Sequence, residues 1–287
     1  MITTQAYILT LPQQRLSPAV FNSPHSGRDY AARFLQKSDL APHVLRSSED
    51  AYVDELFAAA PEAGAPLMTA RAPRAFVDLN RAASELDPSL VQGVPKIGVN
   101  PRVAAGLGVI PRVVAEGKVI RRGRISLTEA RGRLRRYYEP YHERLQELLS
   151  AQRARFGLAL LFDCHSMPHE AVLATPHVNG RRPDIVLGDR FGASCDRWVI
   201  EEVADAFARA GFTVARNAPF AGGYITQNYG IPERGLHALQ IEIDRALYLD
   251  ERRISKTAGF GETQRALDGV IADLTTLGGA SLPLAAE

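Results

Sequence analysis

The chain has 287 residues, 46% of them hydrophobic and 23% charged, with 34 basic and 32 acidic side chains giving a net charge of +2. That apolar content excludes a disordered chain, and the balance of charge excludes a nucleic-acid binder of the basic-patch kind despite a sequence pI of 8.6. Two cysteines, Cys164 and Cys195, are too few for a disulfide-held scaffold. No apolar run approaches the ~18 residues that a membrane helix needs, and Met1–Pro12 has no secretory pattern. The expectation is a cytoplasmic globular protein, one domain over residues 1–287, with no nucleic-acid or membrane partner.

In chain order, short runs rich in β-branched or aromatic residues predict strands at Ala6–Leu11, Ala19–Asn22 and Ala75–Leu79, then at Leu158–Cys164, Asp184–Leu187, Phe212–Ala215 and Leu239–Ile243. Asp50–Ala60 reads as a helix between the second and third of these. Ser126 and Glu129 have the spacing of a capping box. Leu127, Ala130, Leu134, Tyr137, Tyr141, Leu145 and Leu148 then predict one apolar helical face over about six turns. The arginines around it, from Arg121 to Arg136, read as a solvated helix face or an anion-binding rim. Cys195–Ala210 and Thr263–Leu277 are the remaining helices. Strands alternating with helices, some apolar throughout, imply an α/β fold: a mixed, mostly parallel sheet with helices on both faces. Ligands bind such sheets where strands end, so chemistry is sought there.

His25 lies in Asn22-Ser23-Pro24-His25-Ser26-Gly27, just past a predicted strand, and His165 lies in Asp163-Cys164-His165-Ser166-Met167, directly past the most apolar one. A lone histidine is ordinarily a hydrogen-bonded structural residue; two in matching contexts put metal binding on an equal footing with that reading. They stand 140 positions apart, so no short ligand motif joins them and only the fold can. A catalytic zinc needs a third ligand and an open position. Asp50 or Asp54 can supply it, or can act as helix cap and first-turn acid instead.

Two further strand ends carry polar groups. Arg74-Ala75-Phe76-Val77-Asp78-Leu79-Asn80-Arg81 ends in a guanidinium fork suited to a carboxylate, with Asn80 as an added donor, or else in an internal Asp78–Arg81 ion pair. In Gln240-Ile241-Glu242-Ile243-Asp244, alternation sets Gln240, Glu242 and Asp244 opposite the isoleucines. A carboxylate inside such a strand is costly unless paired or working, so Glu242 is a candidate general base, or lies on a solvated edge. The sequence has no nucleophile elbow, P-loop or dinucleotide fingerprint. Cys164 points away from His165 if both lie in a strand, so it reads as core.

Taken in order, these segments resemble the N-formylglutamate amidohydrolase family. The matching set is the Asn22–Gly27 motif, Asp50 with Asp54 and Leu56, Asp78-Leu79-Asn80-Arg81, Ala105–Ile110, Pro140-Tyr141-His142, Asp163–Met167, Asp184–Asp189, Gly222-Gly223-Tyr224 and Leu239–Ile243, spread over roughly residues 18 to 275. The family is related in fold to zinc carboxypeptidases and aspartoacylases, which hold a substrate carboxylate with an Asn-Arg pair. The resemblance thus implies a zinc-exopeptidase-like (phosphorylase/hydrolase-like) fold. It implies zinc-dependent hydrolysis of a small-molecule N-acyl amino acid, foremost N-formyl-L-glutamate to formate and L-glutamate, as in histidine degradation. It makes His25 and His165 metal ligands and places the third in Glu49–Asp54, with Asp50 ahead of Asp54. Glu242 matches the catalytic glutamate, Asn80 and Arg81 the carboxylate clamp. On this reading Arg74 is the cation at the oxyanion, and Gly222, Gly223 and Tyr224 form a loop over the ligand. A different N-acyl amino acid or a peptidoglycan fragment is the alternative substrate, and a non-catalytic anion-binding protein the alternative class.

Overall fold

The computed structural model describes residues 1–96 and 100–279. Its main sheet has eight strands: β1 Ile2–Thr3, β2 Tyr7–Thr10, β3 Ala19–Ser23, β4 Leu67–Ala70, β5 Ala159–Met167, β6 Ile185–Gly188, β7 Val214–Arg216 and β8 Leu236–Asp244. Their order is β1-β2-β4-β3-β5-β8-β6-β7. The central strands β4, β3, β5 and β8 run parallel to one another. β6 lies antiparallel on β8 and parallel to β7, while β1 and β2 close the other edge in antiparallel pairs. The expected mixed, mostly parallel sheet is present.

Both faces of the central strands are covered, which is why β3 and β5 are apolar without alternation over most of their length. On one face Phe21, Phe162, Leu239 and Ile241 pack under Val199, Val203 and Phe207 of helix Arg197–Arg209 and Leu267, Ile271 and Leu274 of helix Phe260–Thr276. On the other, Val20, Leu161 and Ala238 meet Leu134, Tyr138, Tyr141, Leu145 and Leu148. Cys164 lies in the first core, as its strand position requires, and both cysteines are free. Among the described residues no helix is long and apolar enough to cross a membrane.

Four local readings need correction. Ala75–Leu79 is not a strand but a turn-rich segment, and the strand in that part of the chain is β4. Ala75, Val77 and Leu79 are buried because the segment dives beneath the sheet end, so they look like a strand in composition only. Asp50–Ala60 holds a single helical turn, Val53–Leu56, entered through Tyr52 at φ 64°. β5 runs through His165 to Met167 instead of stopping short of it. Finally, the amphipathic helix is not one regular α-helix. Leu127–Arg133 and Glu139–Phe156 are joined by a π-helical turn at Leu134–Tyr138, which buries Tyr138 and leaves Tyr137 half-buried. Ser126 does cap it, accepting from the Glu129 N–H at 3.1 Å. The Glu129 carboxylate does not return to Ser126 but takes Arg133 at 2.6 Å, while that guanidinium lies 4.1 Å over the Phe76 ring.

Candidate active site

The face of the sheet under the long helix pair turns polar at the ends of its three middle strands. By period two, Val20 and Asn22 of β3, Leu161, Asp163 and His165 of β5, and Ala238, Gln240 and Glu242 of β8 share that face. Register lines Asn22 up with Asp163 and Asp163 with Gln240, and sets His165 beside Glu242. Loops following β3 and β4 add His25 and the Arg74–Arg81 segment. Together they line a cleft of about 750 Å³.

At its floor His25, Asp50 and His165 each offer a ligand atom, all within 4.8 Å of one another and all buried. Asp50 Oδ2 lies 2.8 Å from His165 Nδ1 and 3.4 Å from His25 Nδ1. The opposite ring nitrogens are each held by a carboxylate: His25 Nε2 by Asp78 Oδ1 at 2.7 Å and His165 Nε2 by Asp163 Oδ2 at 2.9 Å. That pairing fixes Nε2 as the protonated nitrogen of His25 and turns its Nδ1 lone pair inward. His25 Nδ1 is buried without a hydrogen-bond partner. Two imidazole nitrogens and one carboxylate oxygen, backed by further carboxylates, form the donor set a divalent metal such as zinc takes, so the residues fit such an ion.

The other readings of the acidic segment are answered by geometry. Asp54 pairs with Arg28 at 3.2 Å, and Glu49 with Arg46 at 3.1 Å and with the Tyr30 hydroxyl at 2.7 Å. Only Asp50 reaches the histidines. Burial pushes its carboxyl up, but hydrogen bonds and charge from His165 and His25 outweigh this and hold it well below the usual range. Its outer oxygen, Oδ1, receives Arg245 Nη2 at 3.0 Å, and the same guanidinium binds the Glu49 carbonyl at 2.8 Å and Ser166 Oγ at 3.1 Å.

Glu242 is buried on the same floor, and Gln240 Nε2 donates to its Oε1 at 2.9 Å. Burial pushes its carboxyl up to about 7, aided by Asp50 and opposed by His165, Arg74 and Arg245. A carboxyl near neutrality is suited to taking and returning a proton. Arg74 reaches Asp78 Oδ2 at 3.0 Å, whereas Arg81 stays 3.9 Å from it, so the sequence's internal Asp78–Arg81 pair gives way to an Asp78 shared by His25 and Arg74. Arg81 Nε is left buried and unpartnered.

Asn80 Oδ1 accepts from the Ile225 N–H at 2.8 Å. Its Nδ2 lies 3.3 Å from His165 Nε2, whose proton is directed at Asp163, so the amide keeps its hydrogens for another acceptor. Gly222 and Gly223 line the cleft and press on this carboxamide. A Cβ at Gly223 would overlap it, and Gly223→Ala is expected to raise KM about tenfold or more with metal content unchanged, checked by steady-state kinetics beside a metal assay. Tyr224 sits apart from the cleft lining, in the first turn of helix Tyr224–Tyr229, its ring edge-on to His142 at 5.7 Å.

Sequence reasoning missed the roles of Asp78, Asp163, Gln240 and Arg245. Asp163 had a readable signal, since two residues apart on a strand means one face with His165. Behind it Asn22 Nδ2 donates to Asp163 Oδ1 at 2.7 Å and Tyr141 donates to Asn22.

Comparison with known proteins places this arrangement. Residues 17–249 match the family model for N-formylglutamate amidohydrolase. An N-formylglutamate deformylase of Pseudomonas aeruginosa is 34% identical over 261 residues, 89% of this chain and 86% of the relative. One of Pseudomonas putida is 33% identical over 254 residues, covering 85% and 86%. The crystal structure of an N-formylglutamate amidohydrolase from Ralstonia eutropha superposes with a TM-score of 0.87 at 34% identity, covering 93% of this chain and 96% of that one. On sequence and on fold alike, the chain belongs to the N-formylglutamate amidohydrolase family and is an amide hydrolase.

Proposed function

We propose that this enzyme hydrolyses the formamide bond of N-formyl-L-glutamate, consuming one water and releasing formate and L-glutamate, with zinc held by His25 Nδ1, His165 Nδ1 and Asp50 Oδ2. The observation that carries the reading is the convergence of those three atoms beside Glu242 in one cleft; the names of the Pseudomonas relatives support the substrate. Zinc bound there supplies Lewis-acid chemistry at neutral pH.

The chain's own residues do the rest. Asp78 and Asp163 orient the two imidazoles and raise their basicity through the Nε2 hydrogen bonds. Arg245 occupies Asp50 Oδ1, so Oδ2 is the oxygen presented to the histidines. Glu242, with Oε1 held by Gln240, takes the proton of the attacking water and returns it to the amine nitrogen as the C–N bond breaks. Arg74 faces the negative charge that builds on the formyl oxygen. Asn80 and Arg81 hold the α-carboxylate, the guanidinium offering a fork that no protein carboxylate fills.

Formate release from N-formyl-L-glutamate by zinc-loaded protein tests the proposal. Release of acetate from N-acetyl-L-glutamate with none from the formyl substrate would overturn the substrate assignment. Arg81→Ala is expected to raise KM by about 10- to 100-fold and to lower kcat less, because it removes a contact made in both ground and transition states. An unchanged KM would remove Arg81 from the clamp.

A further inference from the structure

Four arginines line the cleft: Arg74, Arg81, Arg102 and Arg245. Arg74 is matched to Asp78 and Arg245 to Asp50, each at 3.0 Å. Glu116, the one acid of the cleft wall away from the floor, is taken by Lys118 at 2.9 Å. Arg81 and Arg102 remain. Burial works against the Arg81 cation, Asp78 supports it, and Arg74 and Arg102 repel it. The cleft therefore has two guanidinium groups in excess of its available carboxylates, one more than an α-carboxylate alone satisfies.

The backbone that carries Arg102 is pinned. Asn100 caps the short helix Pro101–Ala104 by accepting from the Val103 N–H at 2.9 Å and ties it to Glu85 at 3.1 Å. Arg112 binds the Ala104 carbonyl at 3.1 Å while anchored on Asp87 at 2.7 Å. The Arg102 head group, by contrast, makes no ion pair or side-chain hydrogen bond with another described residue. Between it and the floor the wall is apolar, formed by Leu107, Pro111, Val113 and Val114.

We propose that Arg102 binds a second, side-chain carboxylate of the substrate, with the connecting methylenes against the Leu107–Val114 wall, so that the cleft selects dicarboxylic amino acids. This rests on the assignment of Arg81 to the α-carboxylate. An amino acid with a short aliphatic arm and a terminal anion matches a wall that is first apolar and then cationic, and a neutral carboxamide on the same arm leaves Arg102 unmatched.

The test compares N-formyl-L-glutamate with the near-isosteric N-formyl-L-glutamine in wild type, Arg102→Gln and Arg102→Lys. Binding of the products L-glutamate and L-glutamine to the zinc-loaded proteins, by titration calorimetry, gives a readout that does not depend on turnover. Wild type is expected to favour the dicarboxylate by about 10- to 100-fold in kcat/KM and in Kd. In Arg102→Gln both ratios fall toward one, through KM more than kcat, and Arg102→Lys retains part of the preference. Equal losses on both ligands, unchanged ratios, or a wild type that treats them alike would overturn the subsite. If no formate is released yet glutamate binds more tightly than glutamine and Arg102→Gln abolishes the difference, the subsite stands and the reaction assigned above fails.

Discussion

Glu242→Gln is expected to lower kcat by about 10²- to 10⁴-fold while leaving zinc bound, since the amide can neither take the water's proton nor return it and the residue is outside the ligand triad. Kinetics paired with metal analysis check this; near-normal kcat would exclude Glu242 as the base. The pH profile carries the same assignment. The carboxyl must be ionised to act, so wild-type kcat/KM falls about tenfold per unit on the acid side of its pKa. That limb lies at or below about 7, the level to which burial pushes the group, because a nearby metal cation draws it down. The residual activity of Glu242→Gln lacks this limb. Stability moves in the opposite sense. A carboxyl raised from its ordinary value to about 7 holds more protons folded than unfolded between these two levels, so the wild type loses stability as pH rises through that window. Above it, Glu242→Gln is expected to melt a few degrees higher than wild type, by differential scanning calorimetry.

The second large effect concerns Asp50. Chelation is expected to abolish turnover and zinc to restore it, and Asp50→Ala is expected to lose zinc altogether, with the measured metal stoichiometry falling to near zero. Asp50→Ala also strands the buried guanidinium of Arg245, so its destabilisation is about 3–5 kcal/mol, whereas Asp50→Asn keeps an acceptor for Arg245 and loses less. Both variants lose the metal and they differ in melting temperature. An Asp50→Asn enzyme with full zinc content would transfer the third ligand elsewhere.

Much of this site could be read in the chain because its members sit at strand ends that are apolar and short. His165, Glu242 and His25 stand out as polar residues at or just past the ends of such runs, and the alternation around Glu242 put Gln240 and Asp244 on its face, as β8 has them. Asp50 could be placed in a segment but not chosen over its neighbours, because the choice depends on which carboxylate the β3–Asp50 backbone contact turns inward. Asp50 N–H binds the His25 carbonyl at 3.0 Å, a tertiary contact with no local signature. The same limit hid Arg245, whose partners Asp50 and Ser166 lie 195 and 79 residues away, and Arg102, whose significance rests on what fails to meet it. β4 was missed for a different reason. Leu67-Met68-Thr69-Ala70 has weak strand preference and is held by pairing with β2 and β3, whereas Ala75–Leu79 has the apolar content of a strand and no partner strand.

The π-helical turn at Leu134–Tyr138 makes the enzyme unusually sensitive to chain length at one point. Tyr138 donates to the Arg81 carbonyl, Tyr141 to Asn22, and His142 contacts the Leu79 carbonyl, so three successive supports of the site hang from the helix just where the extra residue is absorbed. Removing one exposed residue there, Arg135 or Arg136, lets the segment wind as a regular α-helix and swings everything after it by about 100°. A surface deletion far from the chemistry would then unseat the backing of both histidines at once, whereas substitution of the same arginine by alanine leaves the frame of the helix intact.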